Sequence, residues 1–155
     1  MTTSVEVLEF EALRELLGRY VSSAPGKREL EKVSPHHDAA RLAADLAEAG
    51  EAIQYLHIAS KPQPAARGAA IRLDFGAMPD VEAAVAKLRV EGAGLEPREI
   101  FELFSFLDLA ADARSNLSAC AERVPLLAAR ANSIGEFRNL LRELDGKILP
   151  DGSVA

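Results

Sequence analysis

Apolar residues recur along most of this chain at intervals of three and four, the spacing that lines one face of an α-helix. Phe10, Leu13, Leu17 and Tyr20 form the first such run, opposite Glu11, Arg14, Glu15 and Arg19, and predict a helix from about Val7 to Val21. After Ser22-Ser23, Pro25 suits a first helical turn, where its missing N–H is not needed. Leu30 and Val33 give this short second helix an inner edge before "SPHH" stops it. Asp38 then caps a third helix with the clearest seam in the sequence. Leu42, Leu46, Ala49, Ile53 and Leu56 alternate in steps of four and three, while Arg41, Asp45, Glu48 and Glu51 lie elsewhere on the circumference. A seam sustained over about four turns predicts burial.

"SKPQP" breaks this helix, and Pro62 and Pro64 predict a loop. Ile71, Leu73 and Phe75 then alternate, which predicts a short extended segment near 70–76 laid against the helices. Helical spacing returns after Pro79 with Val81, Ala84, Val85 and Leu88. "EGAGLEP" makes the next turn: Gly92 and Gly94 permit positive φ, Pro97 fits a first helical position and Glu99 puts an acid in the first turn. The longest helix follows, with Ile100, Leu103, Phe104, Leu107 and Ala111 as its stripe. Phe101, Phe106 and Leu109 widen that stripe to most of the circumference. Such a helix is central, or covered on a second side by something outside this chain. Pro125 bends or restarts the pattern near Val124. "SIGE", Ser133 to Glu136, spells a capping box before a last helix with Phe137, Leu140, Leu141 and Leu144 facing in, and Gly146 ends it. The sum is an all-α bundle of six to eight helices over residues 1–146 in one domain, with at most short extended pieces near 70–76 and 147–149.

Composition agrees with that class: the chain is rich in Ala, Leu, Glu and Arg and has no Trp. Eighteen Lys and Arg against 24 Asp and Glu give a formal net charge of -6, which disfavours DNA binding by this chain alone. Arg123, Arg130, Arg138, Arg142 and Lys147 nevertheless gather toward the C-terminus, interleaved with Glu122, Glu136, Glu143 and Asp145. A solvated helix face is the plainer reading of these five cations, and a weak nucleic-acid contact is the other. Cys120 is the only cysteine, so no internal disulfide and no cysteine-based metal cluster can form. With neither a secretory pattern at the N-terminus nor a membrane-length apolar run, the expected location is the cytoplasm.

No motif of an ATP-binding loop, a serine hydrolase elbow, a zinc protease or a dinucleotide fold occurs. His36, His37 and Asp38 are metal-ligand types, but adjacent histidines at a helix start seldom converge; Asp38 as N-cap beside two solvent-facing imidazoles is the expectation. The carboxylate pairs Glu48/Glu51 and Glu96/Glu99 could do acid–base work, yet nothing in the sequence buries them, and they read as surface charge. Cys120 reads as a small apolar filler on the inner side of a helix. The residues therefore predict no catalytic, cofactor or metal site, leaving a scaffold segment of a larger machine or a stand-alone helical interaction module.

The order of several short motifs resembles the N-terminal region of the MutS-two family, the second bacterial branch of MutS-like ATPases. "VLEFEALRELLGRYVSSAPGKRELEKVSP" resembles that family's opening, "AEAGEAIQYL" its third-helix stretch, "VEGAGLEPREIFEL" its Gly-x-x-Leu-x-Pro turn, and "LDGKILPDGSVA" the segment leading to the next long helix. The likeness runs over nearly the whole chain in order, although each motif mostly marks a helix boundary. Pro150, the "GSVA" ending and the "KPQPAARGAA" loop depart from the pattern. The resemblance implies the first part of a core or lever domain, with 147–155 as a link to a continuing lever, clamp and ATPase. It implies a parent that is a homodimeric ATPase using ATP and Mg, in a family of which many members also carry a C-terminal nuclease domain. Suppression of recombination on branched DNA, or rescue of collided ribosomes, is the activity implied for that parent. No residue of those activities can be carried onto this chain.

Overall fold

The computed structural model describes residues 9–60, 72–76 and 78–147, and these fold as seven helices with no strand. In chain order they are α1 (Phe10–Gly18), α2 (Ala24–Lys32), α3 (Ala39–Ala59), α4 (Glu82–Lys87), α5 (Pro97–Ala119), α6 (Pro125–Asn132) and α7 (Arg138–Leu144). The fold is all-α, as the periodicity predicts. Residues 72–75 are irregular; Ile71 and residues 148–149, the rest of the two extended pieces, lie outside the described residues.

Local signals set most boundaries. Ser23 accepts the Gly26 N–H at 3.2 Å with Pro25 in the first turn of α2, and Asp38 accepts the Arg41 N–H at 3.0 Å to open α3. Glu96 and Glu99 form a reciprocal capping box around Pro97, which starts α5. Pro125 starts α6, and Gly92 and Gly146 take positive φ, 81° and 70°, in the turns beyond α4 and α7.

The expected capping box at Ser133 does not form. Ser133 closes α6 instead, its hydroxyl donating to the Arg130 carbonyl at 2.7 Å, and α7 begins five residues later with Phe137 as N-cap. Gly135 explains the delay: it sits against the Phe137 ring, and a Cβ there would lie 2.7 Å from Cζ. A ring folded back over the loop is incompatible with carrying the helix through it.

Helix α5 packs against α4, α6 and α7, α3 packs on α6, and α1 pairs with α2. The core is Tyr55, Cys120 and the fully buried Val124, with Ile58, Ala59, Leu73, Leu117 and Leu127 packed around it. Cys120 is buried as expected, although it caps α5 rather than lying within it. Along α5 most side chains are half-buried, six are exposed and only Ala113 is buried, so the helix is central but thinly covered.

The main correction concerns α3. Its seam does not face the core: Leu42, Leu46, Ile53 and Leu56 are about half exposed, Leu46 at 63%, and Ala49 is exposed too. The face applied to α6 is the one bearing Glu48, Glu51, Tyr55, Ile58 and Ala59. Helix α1 behaves alike, with no buried residue and Leu13 and Leu17 about half exposed, and Tyr20 lies just beyond it, 82% exposed.

Candidate functional site

The carboxylates that read as surface charge have structural partners. Glu51 Oε2 accepts the backbone N–H groups of Leu126 and Leu127 at 2.8 and 3.0 Å. Val124, the N-cap of α6, offers no side-chain cap, so a residue of α3 supplies the missing acceptor. Three residues earlier, Glu48 holds Arg130 of α6 in a forked pair at 2.6–3.0 Å. Glu99 accepts both the Glu96 N–H and the Lys87 ammonium, joining α5 to α4. All four carboxylates thus belong to caps and helix ties, which sequence could not show because the partners of Glu48 and Glu51 lie more than 70 residues away.

Arg28 of α2 donates to both Asp80 oxygens at 2.6 and 2.9 Å and lies 3.3 Å from Glu82. Its hydrogen bonds hold the Asp80 carboxyl below the ordinary carboxylate value, as the Lys87 ammonium does for Glu99. The wide cleft of about 600 Å³ that Pro25, Val81, Val85 and Phe106 help to line is also lined by this satisfied ion pair.

At the third helix start, Asp38 is the N-cap and His37 is exposed. His36 is not solvent-facing as expected: it is three-quarters covered, with Nε2 3.7 Å from Asp45 and Nδ1 buried without a hydrogen-bond partner among the described residues. Among the described residues no group of His, Cys, Asp and Glu is arranged to hold a metal ion.

The five C-terminal cations are divided. Arg130 is committed to Glu48; Arg123, Arg142 and Lys147 are exposed on the turn before α6, on α7 and just beyond it. Arg138 is exposed as well, its Nη2 donating to Ser115 Oγ at 3.4 Å. There it lines a cleft of about 250 Å³ between α5 and the loop that enters α7. Arg114, Ser115 and Ser118 come from one face of α5, at helical spacing, and Gly135, Glu136 and Phe137 close the other side. Arg114 is half-buried and forms no ion pair or hydrogen bond among the described residues. Nothing in the sequence singles out Arg114, because its partner loop comes into place only once Phe137 folds over Gly135.

No protein-family profile, curated protein or solved structure matches this chain. Among the described residues no helix is long and apolar enough to cross a membrane.

Proposed function

We propose that this chain is a non-catalytic helical segment whose α3 seam is covered by further helices of a larger protein, the first part of a lever in a MutS-like ATPase. The observation that carries the reading is Gly50. It lies in the middle of α3 on the exposed side, and a Cβ built on it meets nothing within 4 Å. Glycine weakens a helix interior by about 0.5–1 kcal/mol relative to alanine, and nothing in this fold requires it there.

A second helix explains it. From Leu42 through Leu56 the exposed arc carries Ala43, Leu46, Ala47, Ala49, Gly50, Ile53 and Gln54, with no charged residue over roughly half the circumference. Small residues beside a four-three seam let an apolar helix approach closely, with side chains of the partner filling the space above Gly50. The carboxylates that would repel such a neighbour point instead to α6. In the parent this covered face would make α3 part of a rigid body, coupling ATPase movement to a clamp that grips branched DNA, or serving ribosome rescue.

Hydroxyl-radical footprinting tests this on the 155-residue chain and on the complete product of its reading frame. The expected result is oxidation of Leu46, Ile53 and Leu56 in the short chain and protection of all three in the complete product. Equal oxidation in both overturns the reading. Concentration-dependent protection in the short chain alone would instead identify a stand-alone interaction module that pairs through this seam.

A further inference from the structure

We infer that the cleft between α5 and α7 is a phosphate-binding site, with Arg114 and Arg138 as its anion ligands. This goes beyond the docking role of α3 and does not depend on it.

Among the described residues Arg114 lacks a charge partner. A guanidinium withdrawn halfway from water loses hydration, and proteins ordinarily return that loss through a carboxylate. The other inter-helix arginines here follow the rule, Arg28 with Asp80 and Arg130 with Glu48. Arg114 has no such partner among the described residues, and Arg138 meets only a hydroxyl, at the long distance of 3.4 Å. Both line the same cleft, which contains the exposed Glu136 as its one carboxylate. The two arginines lining this cleft carry more N–H donors than Glu136 can satisfy.

The remaining lining selects the kind of anion. Ser115 accepts from Arg138 and keeps its own O–H to donate into the cleft, while Ser118, one turn on, donates to Asn132 Oδ1 at 3.5 Å. On the opposite wall the Phe137 ring lies over Gly135. A tetrahedral oxyanion suits donors converging from two sides, whereas a planar carboxylate would use one fork. At about 250 Å³ the cleft is smaller than the ~300–1,000 Å³ typical of whole small-molecule sites, so it accepts a phosphate group while the rest of the ligand lies outside. Arg123, Arg142 and Lys147, exposed and outside the cleft lining, have no part in this site.

Calorimetric titration of the 155-residue chain with three probes tests the assignment. These are pyrophosphate, an oligothymidine carrying a 5′ phosphate, and the same strand without it. Saturable binding of at least one probe is expected, weakened about tenfold by Arg114→Gln and by Arg138→Gln and less than about twofold by Arg123→Gln or Arg142→Gln. Binding that needs the 5′ phosphate, or pyrophosphate alone, identifies a terminal phosphate; equal binding of both strands identifies a backbone phosphate. No saturable binding of any probe overturns the proposal, as does equal weakening in all four variants, which would mark diffuse attraction. Amide shifts in the unmodified chain keep the test independent of variant folding. Shifts centred on Ser115, Ser118 and Gly135 support the site, and shifts elsewhere refute it.

Discussion

The carboxylate of Glu51 receives the backbone N–H of Leu126 at 2.8 Å across 75 residues of sequence, so that one helix is capped from the flank of another. The same oxygen takes the Leu127 N–H, and its negative charge lies at the positive end of α6. Two demands meet in one side chain: satisfaction of orphan donors and attachment of α3.

Removing that acceptor has a measurable consequence. Glu51→Ala is expected to lower the unfolding free energy by about 1 kcal/mol, the usual value of an N-cap. Glu51→Gln, which keeps an oxygen acceptor but loses the charge, should fall between. Urea titration followed by circular dichroism distinguishes them. An alanine variant as stable as the unmodified chain would show that water caps α6 equally well.

Val124 has no accessible surface and belongs to one buried cluster with Tyr55 and Cys120. Val124→Ala removes two methyl groups from a core with few large members, and a loss of about 2 kcal/mol is expected. Thermal unfolding should show it as a fall in Tm without a change in helical content at low temperature.

Two helical glycines should respond in opposite directions to the same substitution. Gly50→Ala fills open space and is expected to stabilise α3 by about 0.5–1 kcal/mol. At Gly26 a Cβ would stand 2.8 Å from both Ser23 Oγ and Val21 Cγ1, displacing the hydroxyl that caps α2. Gly26→Ala should therefore destabilise by about 1 kcal/mol despite the better helix former. Denaturant midpoints of the two variants, measured side by side, check the contrast.

Acid should loosen the ties of α4 to its neighbours. The carboxyls of Asp80 and Glu99 are held below their ordinary values of 3.8 and 4.5, foremost by hydrogen bonds from Arg28 and Lys87. A carboxyl depressed in the folded state contributes stability above its unfolded value and loses it as pH falls through and below that value. Asp80→Asn and Glu99→Gln should start less stable at neutral pH and lose less on acidification below about pH 4.5. Tm recorded from pH 7 to pH 3 tests the difference in slope.

At the alkaline end the sign is reversed. Burial, and secondarily Cys120, raises the Tyr55 phenol above its ordinary 10.0. The folded state then holds its proton longer than the unfolded chain, so this contribution is complete below pH 10 and declines as pH rises beyond it. Tyr55→Phe should flatten that decline in a pH-dependent unfolding series.

Helix positions were legible because their signals are local. Ser23, Asp38, Pro97, Pro125 and Gly146 act within a few residues, and each does in the structure what its neighbours in sequence imply. Which face of a helix turns inward was less legible. The four-three seam of α3 indicates a helix that packs, without naming the packing partner, and a face kept apolar for one neighbour has the pattern of a core face. Glu48 and Glu51 were opaque for a different reason: a carboxylate that ties two helices together differs from a solvated one only through residues far along the chain. The cleft at Arg114 depends on a ring folding over a glycine, a geometry with no periodicity to betray it.

Cys120 gives this molecule an internal clock. It is the only thiol in the chain, 3% exposed, and it closes α5 beside Tyr55 and Val124. An alkylating reagent in solution reaches it only when α5 and α6 part at their joint, so the rate of modification counts openings of the one place where α3, α5 and α6 meet. Substitutions on the outer arc of α3 should leave that rate unchanged, while those at Glu51 should quicken it. The boundary between the part of α3 that holds the fold and the part that faces outward can therefore be drawn by one sulfur atom.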